Sequence, residues 1–424
     1  MNHLSSQDLL PELQSAYRAF HSTETAILKV TMDILQELDA GKVSVLLLLD
    51  LTAAFDTVDH AILLERLKTS YGISDSALLW FTSYLDHRTQ FVRCANSSTL
   101  PSLITCGVPQ GSVLGPILFV LYVADLVRIA QKYDLQAHLY ADDTQVYGSC
   151  WPAATQLLQQ RVTQCVAEMT SWLRSNRLQL NAAKTEVIWF ASNRQQHSLP
   201  TTGVRIGEFE LQPSSSVRNL GIYLDNTLSM KVHVANTVSS CFAALRLIRS
   251  IRQSVTPAVL KSLVVALVLT RLDYGNATLA KIPCHLLGRL QTVLHAAARL
   301  IYRPRLSYHV TPLLVELHWL SVPERVKFKL ALLVYRSLHS AGPAYLKMAL
   351  RRTADLEGRQ RLRSATTASL LVPRMRLSTV GDRSFHVVAS RVWNDLPSNI
   401  QLSPTLNSFK ERLKTWLFRT SYNL

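Results

Sequence analysis

The chain contains 424 residues, of which 48% are hydrophobic, and its formal net charge at pH 7 is +16. This length is enough for two or three domains with a sizeable core, and the apolar fraction is ordinary for a globular protein. No apolar run reaches the roughly 18 residues that a membrane span needs, and the polar N-terminus does not resemble a secretory signal. We therefore expect an intracellular protein of the nucleus, the cytoplasm or both, which is not secreted.

The positive charge favours an acidic polymer as a partner, with nucleic acid ahead of an anionic membrane surface. The charge is uneven, because residues 351–424 contain thirteen Lys and Arg against five Asp and Glu and so carry half of the surplus. A solvated basic tail would have the same composition, and charge alone leaves both interpretations open.

The cysteines do not indicate a metal site. None are paired as CxxC, and no histidine nearby completes a zinc pattern. We interpret them as small core residues in a reducing compartment and assign no metal to them: Cys94, Cys106, Cys150, Cys165, Cys241 and Cys284.

The first half of the chain begins with a helical pattern over residues 1–40, where apolar residues recur at helical spacing from Ile27 to Leu38. Residues 42–50 change character, since a short continuous apolar run ends in Asp50, as expected of a strand that is covered on both faces. Residues 55–68 begin with cap-type residues and continue as a helix. A loop rich in Gly and Pro follows at residues 107–116, and a helix is predicted over residues 117–126.

Residues 136–147 read as strand, turn and strand, with Asp142 and Asp143 at the turn. Residues 155–174 have the 3.6-residue period of an amphipathic helix. Further strands are predicted within 178–190 and 217–225. The pattern then becomes mostly helical after Met230, and an Arg-rich section follows Ser321. A small sheet backed by helices, followed by a helical module, predicts the α+β class.

Three carboxylates stand out in this pattern. Asp50 ends a buried strand and Asp142 and Asp143 lie on a tight hairpin, so that all three can meet at one edge of a sheet. Carboxylate oxygens are hard ligands that suit Mg²⁺. Two such ions roughly 4 Å apart can activate a primer 3′-hydroxyl and stabilise the leaving pyrophosphate.

Each part of this group also has an ordinary structural interpretation. An Asp-Asp pair at a hairpin is usually only a turn, because Asp tolerates turn geometry. Asp50 is harder to explain in that way, because a charge at the end of a buried strand requires a partner.

Three motifs occur in order along the chain: LLLLDLTAAFDTVDH, GVPQGSVLGPILF and LYADDTQVY. They resemble the successive palm motifs of reverse transcriptases, and more narrowly those of non-LTR (LINE-type) retrotransposons of the Jockey and chicken-repeat group. AYRAFHSTETA, RLQLNAAKTEVIWF, NLGIYLD and ASRVWNDLP extend the resemblance over nearly the whole chain.

This resemblance implies a right-hand polymerase fold, with a palm made of a small antiparallel sheet backed by helices. It predicts partial fingers at 1–40, a palm with intervening fingers elements at 41–228, a helical thumb at 229–320 and a basic C-terminal region at 321–424. It also implies that a further fingers segment and an endonuclease domain are missing upstream, so we expect an N-terminally truncated copy.

The resemblance assigns roles to the carboxylates and their neighbours. Asp50 and Asp142 would bind both metal ions together with the backbone carbonyl of Leu51, and Asp143 would be the third, less directly engaged carboxylate. The implied cofactor is a pair of Mg²⁺ ions, with Mn²⁺ as the alternative. Lys184, in NAAKTE, resembles the lysine that protonates the departing pyrophosphate, although an exposed loop lysine would look the same.

The nucleotide-binding residues are also assigned by resemblance. Phe55 corresponds to an aromatic steric gate against a ribose 2′-hydroxyl, and without the motif it would be read as a core residue. Gln110 and Gly111 would contact the incoming nucleotide, where glycine lets the backbone approach closely, although an ordinary Gly/Pro connection is the alternative. Arg18 would clamp the triphosphate, since a planar guanidinium suits phosphate oxygens.

The motif LGIYLD resembles the primer grip, which gives Leu220, Gly221 and Tyr223 the role of holding the primer end; its alternative is a plain core strand. Two tryptophans lie among C-terminal arginines and could stack on nucleic acid, but we favour core positions for Trp393 and Trp416. We interpret His309 and His318, near TPLLVELHWL, as structural.

The resulting hypothesis is an RNA-directed DNA polymerase that performs target-primed reverse transcription. Its partners would be an RNA template, a DNA primer or target DNA and dNTPs, without a membrane, and the sequence predicts no oligomeric state. One alternative is a catalytically impaired nucleic-acid-binding remnant. Another is an RNA-dependent RNA polymerase, against which Phe55 argues.

Overall fold

In the computed structural model of the chain, residues 2–7, 9–207, 209–305, 307–355 and 368–423 are described. They divide into two compact units. The first unit joins Met1–Ser22 to Val43–Ser214, and the second joins Thr23–Lys42 to Ser215–Leu424. The predicted boundaries at residues 40, 228 and 320 define a finer division, which stays a prediction.

The named strands pair with one another in antiparallel fashion, and four of them form the main sheet in the order β10–β1–β8–β7. The strands in chain order are β1 (Val43–Leu49), β2 (Leu51–Thr52), β3 (Thr89–Gln90), β4 (Arg93–Cys94), β5 (Ser97–Ser98), β6 (Ser102–Leu103), β7 (Gln136–Tyr140), β8 (Asp143–Cys150), β9 (Gln179–Leu180), β10 (Glu186–Phe190), β11 (Val204–Ile206), β12 (Phe209–Leu211), β13 (Ser216–Asn219) and β14 (Ile222–Asp225).

The helices surround this sheet in the first unit and make up most of the second. In chain order they are α1 (Asn2–Ser6), α2 (Thr23–Asp39), α3 (His60–Thr69), α4 (Asp75–Leu85), α5 (Leu114–Tyr122), α6 (Leu126–Lys132), α7 (Thr155–Ser175), α8 (Lys231–Ile251), α9 (Pro257–Val264), α10 (Thr270–Asp273), α11 (Cys284–Tyr302), α12 (Thr311–Glu316), α13 (Val322–Leu338), α14 (Ala344–Met348), α15 (Phe385–Asn394), α16 (Ser398–Gln401) and α17 (Leu406–Tyr422).

Strand β1 is the centre of the first unit. Its residues are buried on both faces, as the continuous apolar run predicts. The alternate residues Val43, Val45, Leu47 and Leu49 join the core that the helices build. Buried β-branched and leucine side chains on a pleated strand pack against neighbours on both sides, so β1 is fixed in register and its C-terminal end is well defined.

The prediction of helix throughout residues 1–40 is wrong for residues 9–22, which form turns. The amide of Leu139 donates to the carbonyl of Leu13, and the amide of Ser15 donates to the carbonyl of Leu139. This segment therefore satisfies its backbone against the edge strand β7, which helical periodicity cannot reveal. The predicted helix is confirmed at α2.

Helix α7 covers the sheet with the predicted apolar period. Leu158, Val162, Met169 and Leu173 are buried, whereas Leu157 is 58% exposed. Neighbouring helical positions differ by about 100° around the axis, and Leu158 occupies the core side, so Leu157, although apolar, faces solvent.

By length and composition alone, the stretch Leu114–Lys132 is apolar enough to cross a membrane. In the structure, 61% of its most apolar 18 residues are buried inside the protein. The stretch consists of α5 and α6, whose residues Leu118, Phe119, Tyr122 and Leu126 lie in the core of the first unit. Such burial is typical of a core helix in a globular unit. Composition alone does not distinguish a core helix from a membrane-spanning helix.

The second unit is built mainly of helices. Aromatic rings join three of them: Tyr335 of α13 stacks on Phe409 of α17 at 4.3 Å between centroids, and Trp393 of α15 lies 6.0 Å from Phe409. The end of α2 is fixed by Asp39, whose carboxylate accepts from the amides of Arg376 and Leu377. The helical character predicted after Met230 is confirmed.

Candidate active site

The end of strand β1 places Asp50 beside the hairpin that carries the other two carboxylates. In the antiparallel pairing of β1 with β8, Leu49 lies opposite Thr144. The next positions in this register are Asp50 and Asp143, because antiparallel partners run in opposite directions. The carbonyl of Asp50 accepts from the amide of Asn181 at 2.8 Å, which fixes the backbone at this point.

Asp142 lies in the two-residue turn between β7 and β8, where Tyr140 pairs with Asp143. The other turn residue, Ala141, has a φ of 57°. A left-handed conformation costs a non-glycine residue about 1 kcal/mol, and turns of this length favour such a conformation. The tight turn therefore presents Asp142 at the end of the sheet next to Asp143.

The three carboxylates repel one another. Desolvation, followed by the charges of Asp142 and Asp50, raises the pKa of Asp143 to about 6. Asp143 is exposed to solvent, and the two neighbouring negative charges disfavour its ionised form in addition to desolvation. A positive charge beside Asp143 would relieve this repulsion.

Asp50 shows the same need for a positive partner. Its Oδ2 atom is buried and has no hydrogen-bond partner among the described residues. Lys184 Nζ lies 3.8 Å from this atom, but the lysine side chain is 70% exposed. An ion pair at this distance with one exposed member contributes little, and the lysine only partly neutralises the aspartate.

These residues fit a divalent cation in donor type and charge, since carboxylate oxygens suit Mg²⁺ and the buried Oδ2 of Asp50 makes no hydrogen bond within the described residues. The fit is not preassembled: within the part of the chain that the structure describes, no group of three or more His, Cys, Asp or Glu side chains is already arranged to hold a metal ion. The structure thus brings the predicted carboxylates near one another, but their oxygens are not arranged at metal-coordinating positions.

Phe55 lies five residues after Asp50, and its ring is half-buried. It stacks on Phe119 of α5 with 4.5 Å between centroids and an interplanar angle of 28°. Such pairs restrict ring rotation and stabilise the packing by about 1 kcal/mol. The ring therefore has both a packing partner and a partly free face, and its role as a steric gate stays a prediction.

The Gly/Pro loop before α5 is held by internal contacts. A side chain at Gly115 would place its Cβ 2.6 Å from the carbonyl oxygen of Pro109, and one at Gly107 would place it 2.9 Å from that of Asp56. The Oγ of Ser112 accepts from the amide of Gly115. Helix α5 begins at Leu114, so Pro116 lies in its first turn, where proline is predicted to fit. Close backbone approach explains these two glycines.

Gln110 lies in this loop and is exposed. Its Nε2 donates to Oδ1 of Asp56 at 2.7 Å, and Gly111 follows with a φ of 76° and open space where a Cβ would be. Asp56 and Asp59 are both cap-type residues at the start of the predicted helix. The cap of α3 is Asp59, whose carboxylate accepts from the amide of Ile62, whereas the contact of Asp56 with Gln110 has no signal in the sequence.

The guanidinium of Arg18 forms hydrogen bonds with backbone carbonyls of its own segment. Nη1 donates to the carbonyl oxygens of Pro11 at 2.8 Å and Gln14 at 3.3 Å. These bonds hold the irregular segment in the first unit. The predicted contact with a triphosphate stays a prediction, and it would compete with these bonds.

The predicted primer-grip residues lie in the second unit, on the hairpin β13–β14. Asn219 pairs with Ile222, which leaves Leu220 and Gly221 as a two-residue turn with φ values of 42° and 85°. The hydroxyl of Tyr274 donates to the carbonyl of Leu220 at 2.6 Å. A Cβ at Gly221 would lie 2.9 Å from the Tyr274 ring, so glycine is required here for two reasons.

Tyr223 of β14 is half-buried, and the guanidinium carbon of Arg218 lies 5.8 Å from its ring centroid. A cation over an aromatic ring at this distance is weakly attractive at an exposed site. The contact places the positive charge of Arg218 on the same hairpin, β13–β14, as the predicted primer-grip residues.

The predicted core position is confirmed for Trp393. Its side chain is 1% exposed, and its Nε1 donates to the carbonyl of Ala368. Trp416 is half-buried. His309 and His318 are both exposed, and the His318 ring lies 5.6 Å from that of Phe418. Their structural interpretation stays a prediction.

Comparison with known proteins identifies the class. The family profile described as reverse transcriptase (RNA-dependent DNA polymerase) matches residues 1–224, which is more than half of the chain. The chain therefore belongs to the reverse transcriptase family, and this part has a reverse transcriptase polymerase fold. The predicted family is confirmed.

The relatives are proteins of non-LTR elements. The chain is 30% identical over 253 residues to the "Probable RNA-directed DNA polymerase from transposon BS" of Drosophila melanogaster, covering 58% of this chain and 27% of that protein. It is 29% identical over 234 residues to the "RNA-directed DNA polymerase from mobile element jockey" of the same species, covering 54% and 24%. The chain spans about a quarter of the length of these curated relatives.

Among solved structures, telomerase from Candida albicans in complex with a fragment of telomeric RNA aligns with a TM-score of 0.36 and 13% identity, covering 77% of this chain and 55% of that one. Apo telomerase from Candida tropicalis aligns with a TM-score of 0.38 and 12% identity, covering 71% and 54%.

Proposed function

We propose that the chain is the polymerase part of a non-LTR retrotransposon protein and extends a primer 3′-hydroxyl with dNTPs on an RNA template. The observation that carries this proposal is the meeting of Asp50, Asp142 and Asp143 at one end of the sheet, within a chain of the reverse transcriptase family. The primer would be DNA at a target site. We also propose an intracellular location in the nucleus or the cytoplasm.

Two Mg²⁺ ions would be held by Asp50 and Asp142 with the carbonyl of Leu51, and Asp143 would contribute as the third carboxylate. Bound there, they would activate the 3′-hydroxyl and stabilise the leaving pyrophosphate. A cation at this point is supported by the buried Oδ2 of Asp50, which makes no hydrogen bond within the described residues, and by the raised pKa of Asp143.

The chain's own side chains would bind and orient the reactants. Lys184, exposed and 3.8 Å from Asp50, would give a proton to the departing pyrophosphate. The Phe55 ring, restrained by Phe119, would lie under the sugar and exclude a 2′-hydroxyl, which favours dNTPs over rNTPs. Gln110 and Gly111 would contact the incoming nucleotide, and Arg18 its triphosphate.

In the right-hand description, the sheet of the first unit would be the palm, with partial fingers in its N-terminal segment. The hairpin carrying Leu220, Gly221 and Tyr223 would grip the primer end. The helices of the second unit after Met230 would serve as thumb and basic C-terminal region. The +16 charge supports binding to template and primer, because Lys and Arg neutralise phosphates.

Primer extension with the purified chain tests this proposal. On poly(rA) with an oligo(dT) primer and Mg²⁺, we expect incorporation of dTTP and much less of UTP. EDTA and Asp142→Ala should both abolish extension. Glu65→Ala, which removes an exposed carboxylate of α3, serves as the control and should extend normally.

Unchanged extension by Asp142→Ala would overturn the assignment of the carboxylates. Equal use of UTP and dTTP would favour an RNA polymerase instead. Salt-dependent RNA binding without extension by the unmodified chain would support the remnant that binds nucleic acid without turnover.

A further inference from the structure

A side-chain contact joins the segment after Asp50 to the Gly/Pro loop. Gln110 Nε2 donates to Asp56 Oδ1 at 2.7 Å, across 54 positions in the sequence. Both side chains are exposed, so the contact lies at the surface of the first unit rather than in its core. Asp56 directly follows Phe55, and the contact therefore connects the two segments from which nucleotide-binding residues are proposed.

The backbones of these two segments are already fixed without that side-chain contact. The amide of Val108 donates to the carbonyl of Phe55 at 2.8 Å, and the amide of Gly107 donates to that of Val58 at 2.7 Å. His60 Nε2 lies 2.7 Å from the carbonyl oxygen of Gly107. The Asp56 carboxylate is thus not needed to hold the loop in place, and its effect falls on the orientation of the Gln110 amide.

The chemistry of the pair sets that orientation. A carboxylate only accepts hydrogen bonds, and an amide group can donate only from its nitrogen. The contact therefore turns the NH₂ group of Gln110 towards Asp56 and points the carbonyl Oε1 away from it. Without Asp56 the amide would rotate between both orientations, and a ligand would have to immobilise it on binding.

We infer that Asp56 is a positioning residue for the reaction: it orients the Gln110 amide towards the incoming nucleotide and leaves Gln110 itself to make the contact. This inference rests on the proposed function, because it assigns Gln110 to nucleotide binding. Ordering a free side chain on binding costs about 0.5–1.5 kcal/mol. At 1.36 kcal/mol per factor of ten, this corresponds to a roughly two- to twelvefold weaker apparent affinity.

Steady-state primer extension with varied dTTP tests the inference on the full chain. Asp56→Ala should raise KM for dTTP about three- to tenfold and leave kcat within about twofold. Asp56→Asn retains an acceptor oxygen, so it should restore KM to within about twofold of the unmodified chain. Melting temperatures should be unchanged, since the contact is at the surface, and Glu65→Ala is the matched control for losing an exposed carboxylate.

A double-mutant cycle decides whether Asp56 acts through Gln110. Gln110→Ala should raise KM, and adding Asp56→Ala should raise it no further. Additive effects of the two substitutions would overturn the inference, and so would Asp56→Asn behaving like Asp56→Ala, because the negative charge itself would then be required. A lowered melting temperature of Asp56→Ala would also overturn it in favour of a purely structural contact.

An unmodified chain that does not extend a primer overturns the proposed function and this inference together. An active chain whose KM is unchanged by Asp56→Ala overturns the inference alone.

Discussion

Two hairpins carry proposed functional residues, and both close with a two-residue turn. In the first unit, β7 and β8 are joined through Ala141 and Asp142; in the second, β13 and β14 are joined through Leu220 and Gly221. Each turn contains a left-handed residue, with a φ of 57° at Ala141 and 85° at Gly221. Left-handed backbone is needed at one residue of the first turn and, because Leu220 has a φ of 42°, at both residues of the second.

What differs is the environment of each turn. The Leu220–Gly221 turn is held by neighbours, since the Tyr274 hydroxyl binds the carbonyl of Leu220 and the Tyr274 ring fills the space that a side chain at Gly221 would need. The Ala141–Asp142 turn instead brings carboxylates together, and desolvation with the charges of Asp142 and Asp50 raises the pKa of Asp143 to about 6. One turn maintains a shape, whereas the other concentrates carboxylates at a cost in stability that a bound cation would offset.

This contrast predicts that substitution in the first hairpin damages activity and spares stability. Asp142→Asn keeps the size of the side chain and removes one of three repelling charges. We expect polymerase activity to fall by roughly a thousandfold, because a lost ligand removes several kcal/mol of charge stabilisation. The melting temperature should stay the same or rise. Extension rates and melting curves of the same preparation measure both effects.

Glu65→Gln is the control for this substitution, as it removes an exposed charge away from the sheet end. A melting temperature that falls together with activity would show that Asp142 supports the fold, and the contrast between the two hairpins would then be lost.

In the second hairpin the effect should be on stability. Gly221→Ala places a Cβ 2.9 Å from the Tyr274 ring at a φ of 85°. The ring can move only by giving up its bond to Leu220, so we expect the substitution to cost about 2 kcal/mol, from backbone strain and overpacking together. Denaturant unfolding measures this cost.

Gly72→Ala is the matched control, because Gly72 has a φ of 63° and nothing within 4 Å of an added Cβ. It should cost about 1 kcal/mol, from backbone strain alone. If the two substitutions cost the same, the Tyr274 ring does not restrain the turn.

Much of the fold was predictable because its signals are local. The apolar run that ends at Asp50, the hairpin around Asp142 and the period of α7 each require only neighbouring residues, and ordered motifs identified the family. The irregular segment at residues 9–22 was mispredicted, because its backbone is satisfied by Leu139, far along the chain.

The contacts that orient the candidate site are not local. Gln110 meets Asp56, and Tyr274 meets Leu220, in both cases across 54 positions. Neither pair has a periodicity or a spacing that a single sequence displays, since the fold alone brings the partners together. Motifs thus identified the side chains proposed to act, whereas the side chains that position them became visible only in the structure.

The smallest expected effect concerns the hydroxyl of Tyr274, which binds both the carbonyl of Leu220 and the Oγ1 of Thr23. Tyr274→Phe keeps the ring beside Gly221 and removes only these bonds. Because the side chain is 43% exposed, water replaces part of the interaction, and we expect a loss of about 1 kcal/mol or less. Amide hydrogen exchange of the hairpin should therefore become up to about fivefold faster.

Tyr308→Phe is the matched control for this substitution, since Tyr308 belongs to the same unit and is 47% exposed; it should leave the exchange of the hairpin unchanged. The two substitutions at the turn should also be coupled. In the Tyr274→Phe background the ring is free to move aside, so Gly221→Ala should cost less than it does in the unmodified chain. Equal costs in both backgrounds would mean that the ring, and not its hydroxyl, fixes the turn, and that the shape of this hairpin depends on packing alone.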